Sequence, residues 1–197
     1  MSRIEKHPGP LRVGVLCVGN ILMRDEGVGP RVAAALRALP DWPGDVEILE
    51  RGVMGMALLA DIPRFDVLVV VDAVDKTGHA PGTVLSFTPD DIASDTVSRD
   101  AHGTRLADVL AAAALIGPLP QIQCLGVQVL DLAPENFSIG LTPPVEAALP
   151  QLVQGVLDLL ATFGLPVPQT EPAASRSTPN RASGTVSAAR LPPNPRP

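Results

Sequence analysis

The chain alternates between short continuous apolar runs and longer stretches in which apolar residues recur every three or four positions. Val13–Val18 and Val67–Asp72 are of the first kind and read as apolar strands, and Ile122–Val129 reads as a further strand. The second kind begins at about Glu26 and runs to Leu39. There Val28, Val32, Ala35, Leu36 and Leu39 keep the 3.6-residue period of a helix, and Pro30 sits in its first turn, where a missing N–H costs little. Pro40, Pro43 and Gly44 make a turn into a strand over Val46–Glu50. A glycine-containing loop, Arg51–Gly55, then leads to a short helix ending near Ile62-Pro63. His102–Ile116 is helical, with Leu106, Val109, Leu110 and Ala113 on one face and Gly117-Pro118 as its stop. A last helix spans Pro143 to Phe163, ended by Gly164 and Pro166.

One spacing decides the topology. Only Ala73–Gly82 separates the strand Val67–Asp72 from a further strand over Thr83–Phe87. That loop, with Gly78, Pro81 and Gly82, is too short for the crossover of a dozen or more residues that a parallel neighbour requires. The strand is therefore expected to be antiparallel and at a sheet edge. The pattern predicts an α/β fold: three layers, α/β/α, with a mostly parallel five-stranded sheet carrying one antiparallel edge strand. Residues 1–10 read as a disordered arm, 11–165 as the folded domain and 166–197 as a disordered tail. Eight of those last 32 residues are proline, and the rest are mostly small or polar. Such a segment buries too little apolar surface to offset the entropy of ordering it.

Composition narrows the function. The chain has 197 residues, of which 46% are apolar, enough for a real core. Its net charge is −6, its Lys and Arg residues are scattered, and it has no Tyr, one Trp and four Phe, so nucleic acid is not an expected partner. No apolar run reaches the length of a membrane span. The apolar stretch after Arg3, Lys6 and Arg12 is not a secretory signal: it passes into Arg24-Asp25-Glu26 without a small-x-small cleavage site, and its removal would delete the first strand. The expectation is a cytoplasmic monomer. Cys17 and Cys124 both fall in strands, make no C-x-x-C pair and read as buried thiols of a reducing compartment.

Candidate chemistry collects where strands end. Gly19-Asn20-Ile21-Leu22-Met23-Arg24-Asp25-Glu26-Gly27-Val28-Gly29 joins the first strand to the first helix and carries two adjacent carboxylates. In open α/β sheets that carboxyl edge is where ligands bind. One carboxylate is explained by the helix dipole, and Asp25 suits an N-cap. A second beside it, in a glycine-rich turn, is less simply explained. Asp72 ends the strand Val67–Asp72, either as an ordinary turn-former or as a site residue. His102 precedes a helix, while His7 lies in the arm and His79 in a polar turn. One imidazole with two carboxylates, Glu26, Asp72 and His102, suits a borderline divalent ion with open coordination positions. The chain has no G-x-S-x-G, no H-E-x-x-H, no P-loop and no G-x-G-x-x-G, and the turn after the first strand is too acidic for a pyrophosphate.

Gly19-Asn20-x-Leu22-x-x-Asp25-Glu26-Gly27-x-Gly29 resembles the signature of the nickel–iron hydrogenase maturation endopeptidases. Further segments, in the same order, are similar to that family: Asp72-Ala73-Val74, Ala80-Pro81-Gly82-Thr83, Ser98–Val109 around His102, and Ile139-Gly140-Leu141-Thr142-Pro143 with Val145-Glu146. The resemblance covers about residues 12–163. It implies an endopeptidase that removes a C-terminal extension from the precursor of the hydrogenase large subunit once nickel has been inserted. It also implies that Glu26, Asp72 and His102 contact that nickel, which is carried by the substrate rather than held permanently, and that hydrolysis is metal-assisted. The loop after the second strand, linked in the family to substrate choice, usually reads Asp-Gly-Gly-Thr. Here it is Glu50-Arg51-Gly52-Val53, so Glu50, Arg51 and Gly52 are the expected specificity residues. Two other readings use the same residues: a nickel-binding assembly factor that docks the precursor without cutting it, and a metal-dependent hydrolase of small molecules.

Overall fold

The structure, a computed structural model, describes residues 9–52, 55–89, 91, 106–132 and 137–169. Strands β1 (Val13–Val18), β2 (Val46–Arg51), β3 (Val67–Val74), β4 (Val84–Phe87) and β5 (Gln121–Gln128) form one sheet in the order β2-β1-β3-β5-β4. All pairings are parallel except β4 with β5. The antiparallel edge strand expected from the short loop is thus present, and the layered α/β architecture is as the pattern predicts. Three α-helices are described: α1 (Val28–Arg37), α2 (Leu106–Ile116) and α3 (Pro143–Thr162). The first helix is split, since Arg24–Gly27 forms a 3-10 turn before α1 begins. The segment before β3 is likewise two 3-10 turns, Gly55–Ala60 and Ile62–Arg64, rather than one short helix. The sequence places the start of the helix containing α2 at His102, which lies outside the described residues.

The continuous apolar runs are explained by two cores, one on each face of the sheet. Val13, Val15 and Cys17 of β1 and Val67, Val69 and Val71 of β3 face α1 and α3. Leu16 of β1 and Leu68 and Val70 of β3 face the opposite way, toward Leu58, Ile62, Val109, Leu110 and Ala113. A strand buried on both faces has no need of polar alternation. The same parity separates the thiols. Cys17 belongs to one core and Cys124 to the other, and both are free and buried. Burial pushes each thiol up to about 12, so neither is a thiolate nucleophile at neutral pH.

The order of strands creates a switch point. From β1 the chain passes through α1 to β2 on one side, then returns to lay β3 along the other side of β1. Connections on either side of that line leave the sheet in opposite directions, and a crevice opens beyond the carboxyl ends of β1 and β3. The helix sits very close to the strand there. A Cβ on Gly29 would overlap the carbonyl oxygen of Val18, so only glycine lets the first turn of α1 rest on the end of β1.

At the other end of the domain the packed chain runs past the composition break at Pro166. Leu165 and Val167 lie against the α1/α3 core, and Pro168 is buried. Ending the chain at Gln169 should therefore shift the melting temperature by no more than about a degree or two. Ending it at Leu165 should lose roughly 1 kcal/mol of stability from the missing Val167 contact. Thermal and urea denaturation of the two truncations would check this.

Candidate functional site

The loop between β1 and α1 is shaped by its own backbone. Gly19 adopts φ 146°, and a Cβ there would collide with the Glu26 carbonyl oxygen. That close approach permits the amide of Asn20 to donate to the same oxygen at 3.1 Å. The Asn20 side chain accepts the amide of Leu22 at 3.0 Å, and the Glu26 amide donates to the Met23 carbonyl at 3.1 Å. Arg24 takes φ 50°, a left-handed conformation that costs a non-glycine residue roughly 1–2 kcal/mol.

What stabilises this loop comes from the far end of the sequence. Asp25 is fully buried. Its Oδ2 accepts the amides of Leu130 at 3.0 Å and Asp131 at 3.1 Å, together with the hydroxyl of Thr142 at 2.8 Å. Its Oδ1 accepts the Thr142 amide at 2.6 Å. The N-cap role expected for Asp25 is not what the structure shows: neither the 3-10 turn nor α1 has a side-chain cap. The carboxylate instead joins the β1–α1 loop to the segment after β5 and to the start of α3. Backbone pairing reinforces the junction. Met23 bridges Ser138 in parallel, Arg24 donates to the Ser138 carbonyl at 2.8 Å, and Ser138 donates to that of Leu22 at 2.9 Å.

Glu26 follows immediately and is only 6% exposed, in the 3-10 turn that lies against β3. Asp72 reaches the same edge by register. Cys17 of β1 is level with Val71 of β3, so Asp72 stands one residue further along, at the mouth of the switch point. Its neighbours Leu68, Val70 and Val74 belong to the core under α2, and Asp72 shares that face. The thiol of Cys124 records its presence, because the Asp72 charge adds to the upward push of burial. Asp72 Oδ1 accepts the Ala73 amide at 2.8 Å. Glu26 and Asp72 are therefore both at the crevice. His102 falls outside the described residues, and among the described residues no three His, Cys, Asp or Glu side chains form a metal-holding group. His79, set aside as a turn residue, is exposed in the loop after β3, with its ring Nδ1 3.3 Å from the Thr77 hydroxyl. That loop is anchored by Gln128, whose side-chain oxygen accepts the Thr77 amide at 3.0 Å and hydroxyl at 2.6 Å.

Of the expected specificity loop, Glu50, Arg51 and Gly52 are described and Val53 is not. Both charged residues already have internal partners. Glu50 pairs with Arg37 at 3.0 Å, and Arg37 also donates to the Ile48 carbonyl at 3.1 Å, covering part of the exposed edge of β2. Arg51 makes a two-pronged contact with Asp61, at 2.7 and 3.0 Å. Asp61 also accepts Arg64 at 2.8 Å, and Arg64 reaches Glu47 at 2.6 Å. The hydrogen bond from Arg51, then that from Arg64, hold the Asp61 carboxyl below its ordinary range against the opposing effect of burial. A depression of about 410 Å³, lined by Arg12, Asp45, Glu47, Arg64 and Phe65 among others, lies at the amino edge of the sheet, away from Glu26 and Asp72.

Comparison with known proteins agrees with this layout. Residues 30–159 match the family model described as hydrogenase maturation protease. The chain is 38% identical over 157 residues to the hydrogenase 2 maturation protease of Escherichia coli K12, covering 79% of this chain and 94% of that protein. It is 34% identical over 163 residues to a hydrogenase expression/formation protein of Rhizobium leguminosarum, covering 81% and 79%. Among solved structures, a hydrogenase maturating endopeptidase from E. coli superposes with a TM-score of 0.72 at 38% identity, covering 81% of this chain and 98% of that one.

Two outcomes follow from the buried carboxylates. Asp25→Asn puts an amide where only acceptors fit, so at least one buried donor loses its partner. The expected cost is about 3 kcal/mol in urea unfolding, against about 1 kcal/mol for Thr142→Val. Asp61 should contribute to acid sensitivity. Its folded pKa is depressed, so the unfolded chain binds more protons in acid. The stabilisation is complete above the unfolded carboxylate value of about 4 and disappears as pH falls through the folded value. Asp61→Asn should flatten the pH dependence of unfolding free energy below about pH 4, read by denaturant titration at several pH values.

Proposed function

The chain belongs to the hydrogenase maturation protease family, and on that premise we propose that it cuts a C-terminal extension from the nickel-loaded precursor of a hydrogenase large subunit. It is an endopeptidase of hydrogenase maturation. In this reading Glu26, Asp72 and His102 contact the nickel that the precursor carries, so that metallation is sensed before the chain is cut. The observation that supports it is the placement of both carboxylates at the switch-point crevice: Glu26 in the 3-10 turn that lies against β3, and Asp72 one residue past the end of the β1/β3 register. Two carboxylates at one mouth suit a divalent ion that keeps positions free for a peptide carbonyl or a water. Nickel there would act as a Lewis acid toward the scissile carbonyl or lower the pKa of a bound water.

The protein's own contribution is positioning. The 3-10 turn holds Glu26 with little side-chain freedom, and the Asp25 junction fixes that turn against the rest of the domain. The loop Glu50–Gly52 stands beside it, since Gly19 donates to the Arg51 carbonyl at 3.3 Å. Substrate choice by Glu50, Arg51 and Gly52 is supported by this adjacency. An incoming charge would compete with Arg37 for Glu50 and with Asp61 for Arg51.

Pure protein incubated with nickel-loaded and nickel-free precursor tests the reading directly. Shortening of the loaded form alone is expected, and an unshortened loaded precursor would leave only a docking role. Glu26→Gln, Asp72→Asn and His102→Ala should each lower processing by roughly a hundredfold or more, with the double variants little worse than the singles, because ligands acting together lose their effect together. Circular dichroism should remain that of the wild type. A folded Asp72→Asn or His102→Ala protein that processes at near the wild-type rate would refute the assignment.

A further inference from the structure

Beside the crevice lies a group of large apolar side chains that the fold leaves uncovered. Ile21 is 52% exposed, Leu130 59%, Phe137 78% and Ile139 80%, with Leu22 also exposed. They come from two stretches more than a hundred residues apart, and the backbone ladder described above brings them together. Met23 bridges Ser138, so Leu22 lies next to Phe137, and the Leu130 amide is held by Asp25, four residues along from Ile21. Solitary exposed apolar residues need no explanation, but several large ones carried on segments paired beside a crevice mark a contact surface. Its border is polar: Arg24 Nε lies 3.6 Å from an Asp131 oxygen, and both side chains are partly exposed. An apolar centre with a charged rim is the ordinary anatomy of a protein interface.

We infer that this patch is the docking surface for the apolar face of the precursor around its scissile segment. The inference rests on the proposed function and adds where the substrate is gripped. Continuity identifies the occupant. Ile21, Leu22 and Glu26 belong to one loop, closed by the Asn20 amide on the Glu26 carbonyl, so a macromolecule presenting a peptide bond to Glu26 must lie over Ile21 and Leu22. The surface is also preorganised. Its backbone is already fixed by the bridge at Met23 and Ser138 and by the bonds to Asp25, so docking pays little for ordering it. Recognition is thereby divided: the crevice senses the metal, and the patch supplies affinity for the protein that bears it.

The experiment is steady-state processing of nickel-loaded precursor by the full-length protein and its variants. Phe137→Asp, Ile139→Asp and the milder double change Phe137→Ser with Ile139→Ser should each raise KM roughly tenfold or more while kcat stays within about twofold. Leu115→Asp and Ile116→Asp, on exposed positions of α2 at the opposite edge of the sheet, should change neither. Melting temperatures confirm that each variant is folded, and the serine double variant is the deciding one if an aspartate variant is not. Folded patch variants with wild-type KM overturn the inference while leaving the functional reading intact, since the wild type still cleaves. A wild type that leaves loaded precursor uncut overturns both. A wild type that sediments as a dimer, and as a monomer after Ile139→Asp, assigns the patch to self-association and overturns the docking role.

Discussion

A single buried carboxylate sets the geometry of the carboxyl edge. Asp25 has no access to water and accepts four hydrogen bonds from Leu130, Asp131 and Thr142. An unpaired ion at that depth would be prohibitively costly, and one with a full set of donors is instead a strong and directional junction. Its bonds define where the β1–α1 loop ends relative to the start of α3. Glu26, the next residue, takes its place in the crevice from this anchor. So do Ile21 and Leu22, on the other limb of the same loop. The strain of Arg24 in a left-handed conformation is tolerated because the flanking bonds over-determine it.

The fold was legible because its signals are coarse and redundant. Apolar runs with no alternation mean strands covered on both faces, and Val13–Val18 and the start of Val67–Val74 fall where that rule puts them. The ten residues between Asp72 and Thr83 were enough to predict an antiparallel β4, because chain length limits what a connection can do. Finer features escaped. The helix expected from about Glu26 begins as α1 only at Val28, because Glu26 and Gly27 close a 3-10 turn, and a polar stretch such as Arg24–Gly27 has no apolar pattern to separate 3.0 from 3.6 residues per turn. The packing of Val167 was missed because a proline-rich composition says nothing about one valine that happens to reach the core.

For the site, position was readable and partnership was not. Glu26 and Asp72 were picked out by standing at strand ends, and the register of β1 with β3 brings them to one mouth. Asp25 looks the same in sequence as any helix-capping aspartate. Its true partners are 105 to 117 residues away, and no local pattern announces them. Thr142 before a Pro-Pro pair is the one hint, as a hydroxyl at the entry to a helix, but it gives no sign of which carboxylate it meets. Arg51 was readable as a charge in the loop after β2, but its two-pronged contact with Asp61 was not. The apolar patch was invisible for a related reason: Leu22 and Phe137 are ordinary core-type residues until the fold shows both exposed.

The span of the Asp25 contacts has a consequence in time. The loop that carries Glu26 is made early in synthesis, yet the donors that shape it are supplied by Leu130, Asp131 and Thr142. Contacts of such separation form late, after the entropy of closing a long loop has been overcome. A nascent chain that has emerged only as far as β5 therefore has its sheet strands but an unshaped crevice. The crevice takes its shape only when the segment after β5 and the start of α3 have folded back over the β1–α1 loop.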